Sequence, residues 1–490
     1  MAARELPAHP NLEQYKKQAK DLLKACKAGA PEALARMRKH RPRNARLTLA
    51  DAQFVIAREH GFDSWPRFAQ RITRLPGGDL FTAVWKSAED AVVAGDVGTL
   101  ERLLREHQQM FRTERPQTTW LGGLTPDYSA GDARSIIVQN HCFENWGQFA
   151  SYAVALKDGQ SAVARFERAV DAVVAGEVRT LEKMLRDDPS LVRVRSTRKH
   201  HSMLLHYIGA NGVEGFRQRT PKNAAQIAEM LLNAGAKVDA LADIYGGGCT
   251  TLGLVATSIH PKVAGVLHEL IDVLLGHGAR IDAPGSGHAT ALVNGCLANG
   301  RDDAAEYLAS RGAPLDLEGA AGVGRLDLVK SFFNSDGSLK NTATAAQMKD
   351  GFTWACEYGH TDVVEYLLER GIDVGELLPR PHGQTGLHWA AHGGHVDTVK
   401  ALLRRRAPVD VKDKRFGGTP LDWALHGWSE RKTDADASDS YHDVVTLLLA
   451  AGARVEPGWL RNENVRGNPR MFGVLSGKRR DPRASRHAPP

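Results

Sequence analysis

The chain has 490 residues, 42% hydrophobic and 25% charged, which suits a soluble globular protein of several domains and excludes a disordered or fibrous one. No run approaches the roughly 18 consecutive apolar residues of a membrane helix, and the N-terminus, MAARELPAHPNLEQ, has no apolar signal-peptide core. The formal net charge of +7 is unevenly spread: residues 1–46 hold 12 Lys/Arg against 4 Asp/Glu and residues 458–490 hold 8 against 2, so the ends carry +8 and +6 and residues 47–457 carry −7. Anions would be met by the ends, and any nucleic-acid binding is expected to be weak, salt-sensitive and confined to them.

Residues 1–46 read as a separate basic helical pair, NLEQYKKQAKDLLKACKAG capped by Asn11 and stopped by Gly29, then PEALARMRKH. Next comes an internal duplication. EHGFDSWPRF at 59–68 is matched by NHCFENWGQF at 140–149, and DAVVAG at 90–95 by DAVVAG at 171–176, each pair offset by 81 residues. The copies cover about 51–107 and 132–188, giving helical modules over 47–130 and 131–200. In the first copy Thr48 caps a helix that Gly61 stops, and Ser64 with Pro66 opens another. Cys142 stands where the first copy has Gly61, so no strained glycine-type turn is expected there. A catalytic His60 would need its acidic neighbour, yet Glu59 becomes Asn140 while the aromatics persist; the shared pattern is packing.

Between 201 and 457 one ending recurs: LLNAGAKVDA (231–240), LLGHGARIDA (274–283), LASRGAPLDL (308–317), LLERGIDVGE (367–376), LLRRRAPVDV (402–411) and LLAAGARVEP (448–457). A small-residue helix precedes many of them, as in TGLHWAA (385–391), TPLDWAL (419–425), LLHYIGA (204–210) and FTWACEYGH (352–360). On these motifs the chain resembles the ankyrin-repeat family, whose unit is a turn and two antiparallel helices over about 33 residues. The expected fold is all-α, an ankyrin-type α-solenoid preceded by duplicated helical modules. Small residues such as Ala390 and Ala391 allow close helix approach, and stripes such as Leu402, Leu403, Leu448 and Leu449 can be buried only by stacking. The glycine of each ending supplies a left-handed C′ residue; Arg406 replaces it once, and that helix end should be strained or differently closed.

The glycine positions fall at 235, 278, 312, 371, 406 and 452, so the spacing departs from a uniform period. Insertions at 213–223, 244–251, 334–347 and 429–440 are expected as loops on one face, where binding specificity tends to sit. Residues 458–490, ending GKRRDPRASRHAPP, read as a basic, disordered tail.

His388, His392 and His395 are the best-spaced metal candidates, but the H-E-x-x-H glutamate is missing. The resemblance implies that His388 and His395 hold backbone between repeats, leaving His392 alone on the surface; no metal and no cofactor are expected. YGGGCTTLG (245–253) lacks the G-K-[ST] of a phosphate loop and reads as an inter-repeat finger with Cys249 exposed. Cys356 reads as a small core residue. The five scattered cysteines, Cys26 and Cys142 among them with Cys249, Cys296 and Cys356, never fall as C-x-x-C and suit a reducing cytoplasm. Trp354, Trp389, Trp423 and Tyr207 share one repeat position and are expected to pack between repeats.

The reading is a cytoplasmic, non-enzymatic scaffold for protein–protein interaction, similar in pattern to the large ankyrin proteins of bacteria. The resemblance implies that a partner is met by the groove and finger loops. The residues assigned to that role are Tyr245, Glu357, Tyr358, Arg380, His382, His392, Arg415 and Phe416. The alternatives are a nucleic-acid-associated protein using its basic termini and an enzyme with a site in the insertions.

Overall fold

The computed structural model describes residues 12–40, 48–59, 138–282, 291–378, 383–431 and 435–477, with a few isolated positions between 65 and 103. The chain divides into two compact units, residues 1–165 and 166–490. Helices dominate both, and among the described residues the only extended pairings are two isolated antiparallel bridges, Ala242 with Cys249 and Phe333 with Leu339.

In the first unit the helices Leu12–Lys27, Pro31–His40 and Leu49–Glu59 share one core, with Tyr15, Ala19, Leu22, Met37, Ala52, Val55 and Ile56 buried together. The basic pair is therefore not separate. The third helix closes it, and Arg36 clasps Glu59 through two hydrogen bonds of 2.9 and 2.8 Å. Thr48 opens that third helix by a reciprocal cap with Asp51. His60, Gly61, Phe62, Ser64 and Pro66 lie outside the described residues, but their counterparts in the second copy are described. There His141, Phe143, Trp146, Phe149 and Tyr152 form one aromatic cluster, with Phe143 and Tyr152 centroids 4.9 Å apart and His141 and Phe149 5.4 Å apart. Cys142 has φ +58°, so the left-handed turn that its loss of glycine argued against is kept, at a steric cost.

The second unit begins within the helix Ala162–Ala175 and continues as helix pairs. Ala162–Ala175 with Val178–Asp187, the second half of the duplicated module, is itself such a pair. Thr251–Thr257 with Leu267–Gly276, Leu292–Ala298 with Asp302–Ser310, Ala345–Tyr358 with Thr361–Glu369, Gly386–Gly393 with Val396–Arg404, and Pro420–Arg431 with Ala435–Ala450 follow. Two further short helices, Leu317–Gly322 and Leu326–Ser331, fill the widest interval between glycine positions with a complete extra pair. The signature LLHYIGA forms a 3-10 helix, Leu204–Gly209, instead of an α-helix.

Stacking buries what no single pair could. Ala390, Ala391, Leu402 and Leu448 are fully inside, and two hydrophobic clusters run along the unit, one through residues 166–313 with Trp354 and one through 317–475. All six glycine-position residues are left-handed, with φ of +94°, +86°, +93°, +97° and +98° at Gly235, Gly278, Gly312, Gly371 and Gly452, and +61° at Arg406. Residues 458–477, expected within the tail, are instead the short helices Trp459–Arg461, Glu463–Gly467 and Pro469–Leu475. They bury Val465, Met471 and Leu475 against the last repeat, as a terminal cap must.

Candidate functional site

The signature histidines are structural. His388 takes the Thr385 N–H on Nδ1 at 3.1 Å and donates from Nε2 to the Gly418 carbonyl of the next repeat at 3.1 Å; burial lowers its pKa, consistent with a neutral ring. His206 does the same with Met203 and Ala240. His360 and His395 donate instead to the preceding repeat, at Gly322 (3.0 Å) and Glu357 (2.7 Å). The shared aromatic position is packed, as expected: Tyr207, Trp354 and Trp389 are buried, and Trp354 donates to Glu318 across 3.0 Å.

The insertions are not simple surface loops. Glu214 and Arg217 in 213–223 are buried in an ion network with Glu167, Asp171 and Arg198. Arg217 reaches Glu167 at 2.5 Å and Asp171 at 2.6 Å, Arg198 reaches Glu167 at 3.1 Å and also pairs with Glu214, and the Tyr207 hydroxyl donates to Glu214 across 3.3 Å. Burial alone would raise both glutamates, but Arg198 and Arg217 beside them hold both below the usual carboxylate range. The network locks the irregular segment 194–217 onto the helix Ala162–Ala175. Cys249, expected exposed, is fully buried with its Sγ 2.9 Å from the Ile244 carbonyl, because the finger folds back through the Ala242–Cys249 bridge. Cys356 is in the core.

The residues assigned to a partner divide between places. Tyr245 lies half-buried, donating its hydroxyl to Asn211 at 2.6 Å, and Tyr358 donates to the Leu297 carbonyl at 2.6 Å; both pack on the first hydrophobic cluster. Glu357 is half-buried at the end of its helix. Arg380 and His382 lie outside the described residues. Arg415, Phe416 and His392 do come together, through Trp423. The Arg415 guanidinium sits 5.2 Å from the Phe416 ring centre, Phe416 is 6.2 Å from Trp423, and Trp423 is 5.5 Å from His392.

Asp413 makes this possible. Its buried carboxylate accepts from the backbone N–H groups of Arg415 (2.9 Å), Phe416 (2.7 Å) and Gly418 (2.8 Å) and from Trp423 Nε1 (3.1 Å). Burial would raise its pKa, but these donors hold it low. The finger is thereby pinned, and it presents Phe416 with 67% of its surface exposed. His392 is not alone either. Its ring stacks on His426 of the next repeat at 5.9 Å, and Glu430 stands 3.7 Å from it. The signal was present in the sequence: His392 and His426 each follow their repeat's opening threonine, Thr385 and Thr419, by the same seven residues.

Residues 317–413 and 352–457 match the family model described as ankyrin repeats in three copies. Residues 317–457 are ankyrin repeats. It is 42% identical over 53 residues to 26S proteasome non-ATPase regulatory subunit 10 of Rattus norvegicus, a stretch that is 11% of this chain and 22% of that protein, so the match spans about a fifth of the relative's length. The ankyrin repeat domain of human ASB11 is similar over 59% of this chain and 99% of its own, with 20% identity and a TM-score of 0.31. Ankyrin repeats are in general protein–protein interaction modules. The family match covers the repeats that carry Asp413, Phe416, Trp423 and His392. Among the described residues no helix is long and apolar enough to cross a membrane.

Proposed function

We propose that this protein is a non-enzymatic scaffold whose C-terminal repeats bind a protein partner across Arg415, Phe416, Trp423 and His392. The observation that carries this reading is the exposed Phe416 on a finger pinned by Asp413. An aromatic ring held in place before binding loses little conformational entropy on contact, and aromatic and arginine anchors dominate interface energetics. Tyr358 and Tyr245 have their hydroxyls engaged inside the repeat stack and are left out of that surface. No disulfide joins the five cysteines, four of which are buried, which fits a reducing compartment such as the cytoplasm.

A photoreactive phenylalanine analogue at position 416 tests this in cells. The same analogue at Val263, which is 79% exposed elsewhere in the array, is the control. Cross-linking to a discrete protein from 416 and not from 263 supports the reading. Equal capture from both, or capture from 263 alone, overturns it.

A further inference from the structure

Stacked repeats bring equivalent positions into register, so a side chain that recurs at one position forms a ladder along the array. His392 and His426 are rungs of such a ladder, with rings 24° from parallel. Glu430 lies one turn beyond His426 on the helix Pro420–Arg431, on the same face. Its Oε1 is 3.8 Å from His426 Nδ1 and its Oε2 is 3.7 Å from His392 Nε2, so one carboxylate stands between imidazoles from two repeats. One donor atom from each of the three side chains lies within 4.8 Å of the other two.

We propose that His392, His426 and Glu430 form a binding site for a divalent transition metal, with zinc the best-matched ion. Two imidazoles and one carboxylate are donors of the borderline character that zinc prefers, and three protein ligands leave a fourth position for water or another donor. With bonds of about 2.0–2.2 Å, a tetrahedral zinc holds its ligands roughly 3.3–3.5 Å apart, so the present triangle must contract modestly. The burial pattern allows it. His392 is the fixed member, its ring edge-on to Trp389 and Trp423, while the side chains of His426 and Glu430 are 63% and 58% exposed and free to rotate. Without a metal these contacts would be solvent-screened histidine–carboxylate pairs of small worth. With one, the helices Gly386–Gly393 and Pro420–Arg431 would be clamped across a repeat boundary.

The test is zinc titration calorimetry on the full chain, stripped with chelator and kept reduced so that the cysteines are controlled. The expected result is one zinc per chain at this site, weakened by about 100-fold or more in H426A and in E430Q, since loss of a ligand should exceed the roughly 10–100-fold typical of outer-shell changes. Both substituted side chains are exposed, so folding should be retained, and circular dichroism checks it. H201A, at an exposed His201–Asp243 pair elsewhere, should bind as wild type. Zinc should also raise the thermal midpoint of wild type and H201A but not of H426A or E430Q. No stoichiometric uptake, or uptake that H426A and E430Q leave unchanged, overturns the site.

Discussion

His395 donates from Nε2 to the carbonyl oxygen of Glu357 across 2.7 Å, tying the start of one repeat's second helix to the end of the preceding repeat's first helix. His360 makes the same tie to Gly322, Tyr441 makes it to His392 at 2.6 Å, and Asn223 makes it to Gly176 at 2.9 Å. The tie also explains Gly359: at φ +80°, a Cβ there would meet His395 Nδ1 at 2.5 Å. His395→Ala should therefore cost about 1–3 kcal/mol in urea unfolding. A cost under about 0.5 kcal/mol, the level of an ordinary surface change, would contradict the role.

Arg406 is the only one of the six helix-ending positions without glycine, yet its φ is +61°. A left-handed conformation costs a non-glycine residue about 1–2 kcal/mol. Arg406→Gly is expected to stabilise the protein by about 1 kcal/mol after glycine's own entropy cost is set against that gain. A lower denaturation midpoint in this variant would show that the arginine side chain contributes more than the strain removes.

Glu214 is fully buried between Arg198 and Arg217. Glu214→Ala leaves two buried guanidinium groups short of a counter-charge and should cost about 3–5 kcal/mol. Asp171, at the exposed end of the same network, should cost far less when changed to Ala. Equal costs at the two positions would mean that burial does not set the energetics.

The array should be acid-sensitive above the range of its carboxylates. Burial pushes the His206 pKa down to about 4, against about 6.5 in the unfolded chain. Between these values the unfolded chain binds a proton that the folded one refuses, so stability falls as pH drops from about 6.5 to about 4. At about 1.4 kcal/mol per unit, the loss is on the order of 3 kcal/mol. Glu167 and Glu214, held low by the arginines, add a second loss below about pH 4, where the unfolded carboxylates take up protons first. Urea midpoints followed against pH should show the upper slope in wild type and a shallower one in His206→Gln. An unchanged slope in the variant would remove His206 from the account of acid sensitivity.

The repeat period was legible because six endings place left-handed residues in register. The pair Leu317–Gly322 and Leu326–Ser331 was not, because its ending, SFFNSDG, lacks the L-L-x-x-G pattern and its helices are short. Cys249 and Glu214 were misplaced for a common physical reason. Local polarity suggested surface, whereas a backbone bridge buries one and distant arginines bury the other. Arg415, Phe416 and His392, proposed to face a partner, can be named from repeat position, but Asp413, which pins the finger of Arg415 and Phe416, looks like any loop acid. His426 and Glu430 were hidden because a ladder shows only when repeats are aligned to each other.

The finger geometry makes its own prediction. Asp413→Ala removes the acceptor for three backbone N–H groups and Trp423 Nε1. It should destabilise the protein by about 1–3 kcal/mol and raise amide exchange at 414–418. Protection in that segment equal to wild type would mean that the finger is held by something else.

Once a partner has been captured from position 416, its affinity for Phe416→Ala is the measurement that tests the partner-binding surface most directly. Phe416 is exposed, so the variant should keep its thermal midpoint, and affinity should fall about 30-fold or more, matching a hot-spot loss of about 2 kcal/mol. Val263→Ala should bind as wild type. Unchanged affinity in Phe416→Ala with folding retained would contradict the placement of the partner on the C-terminal repeats.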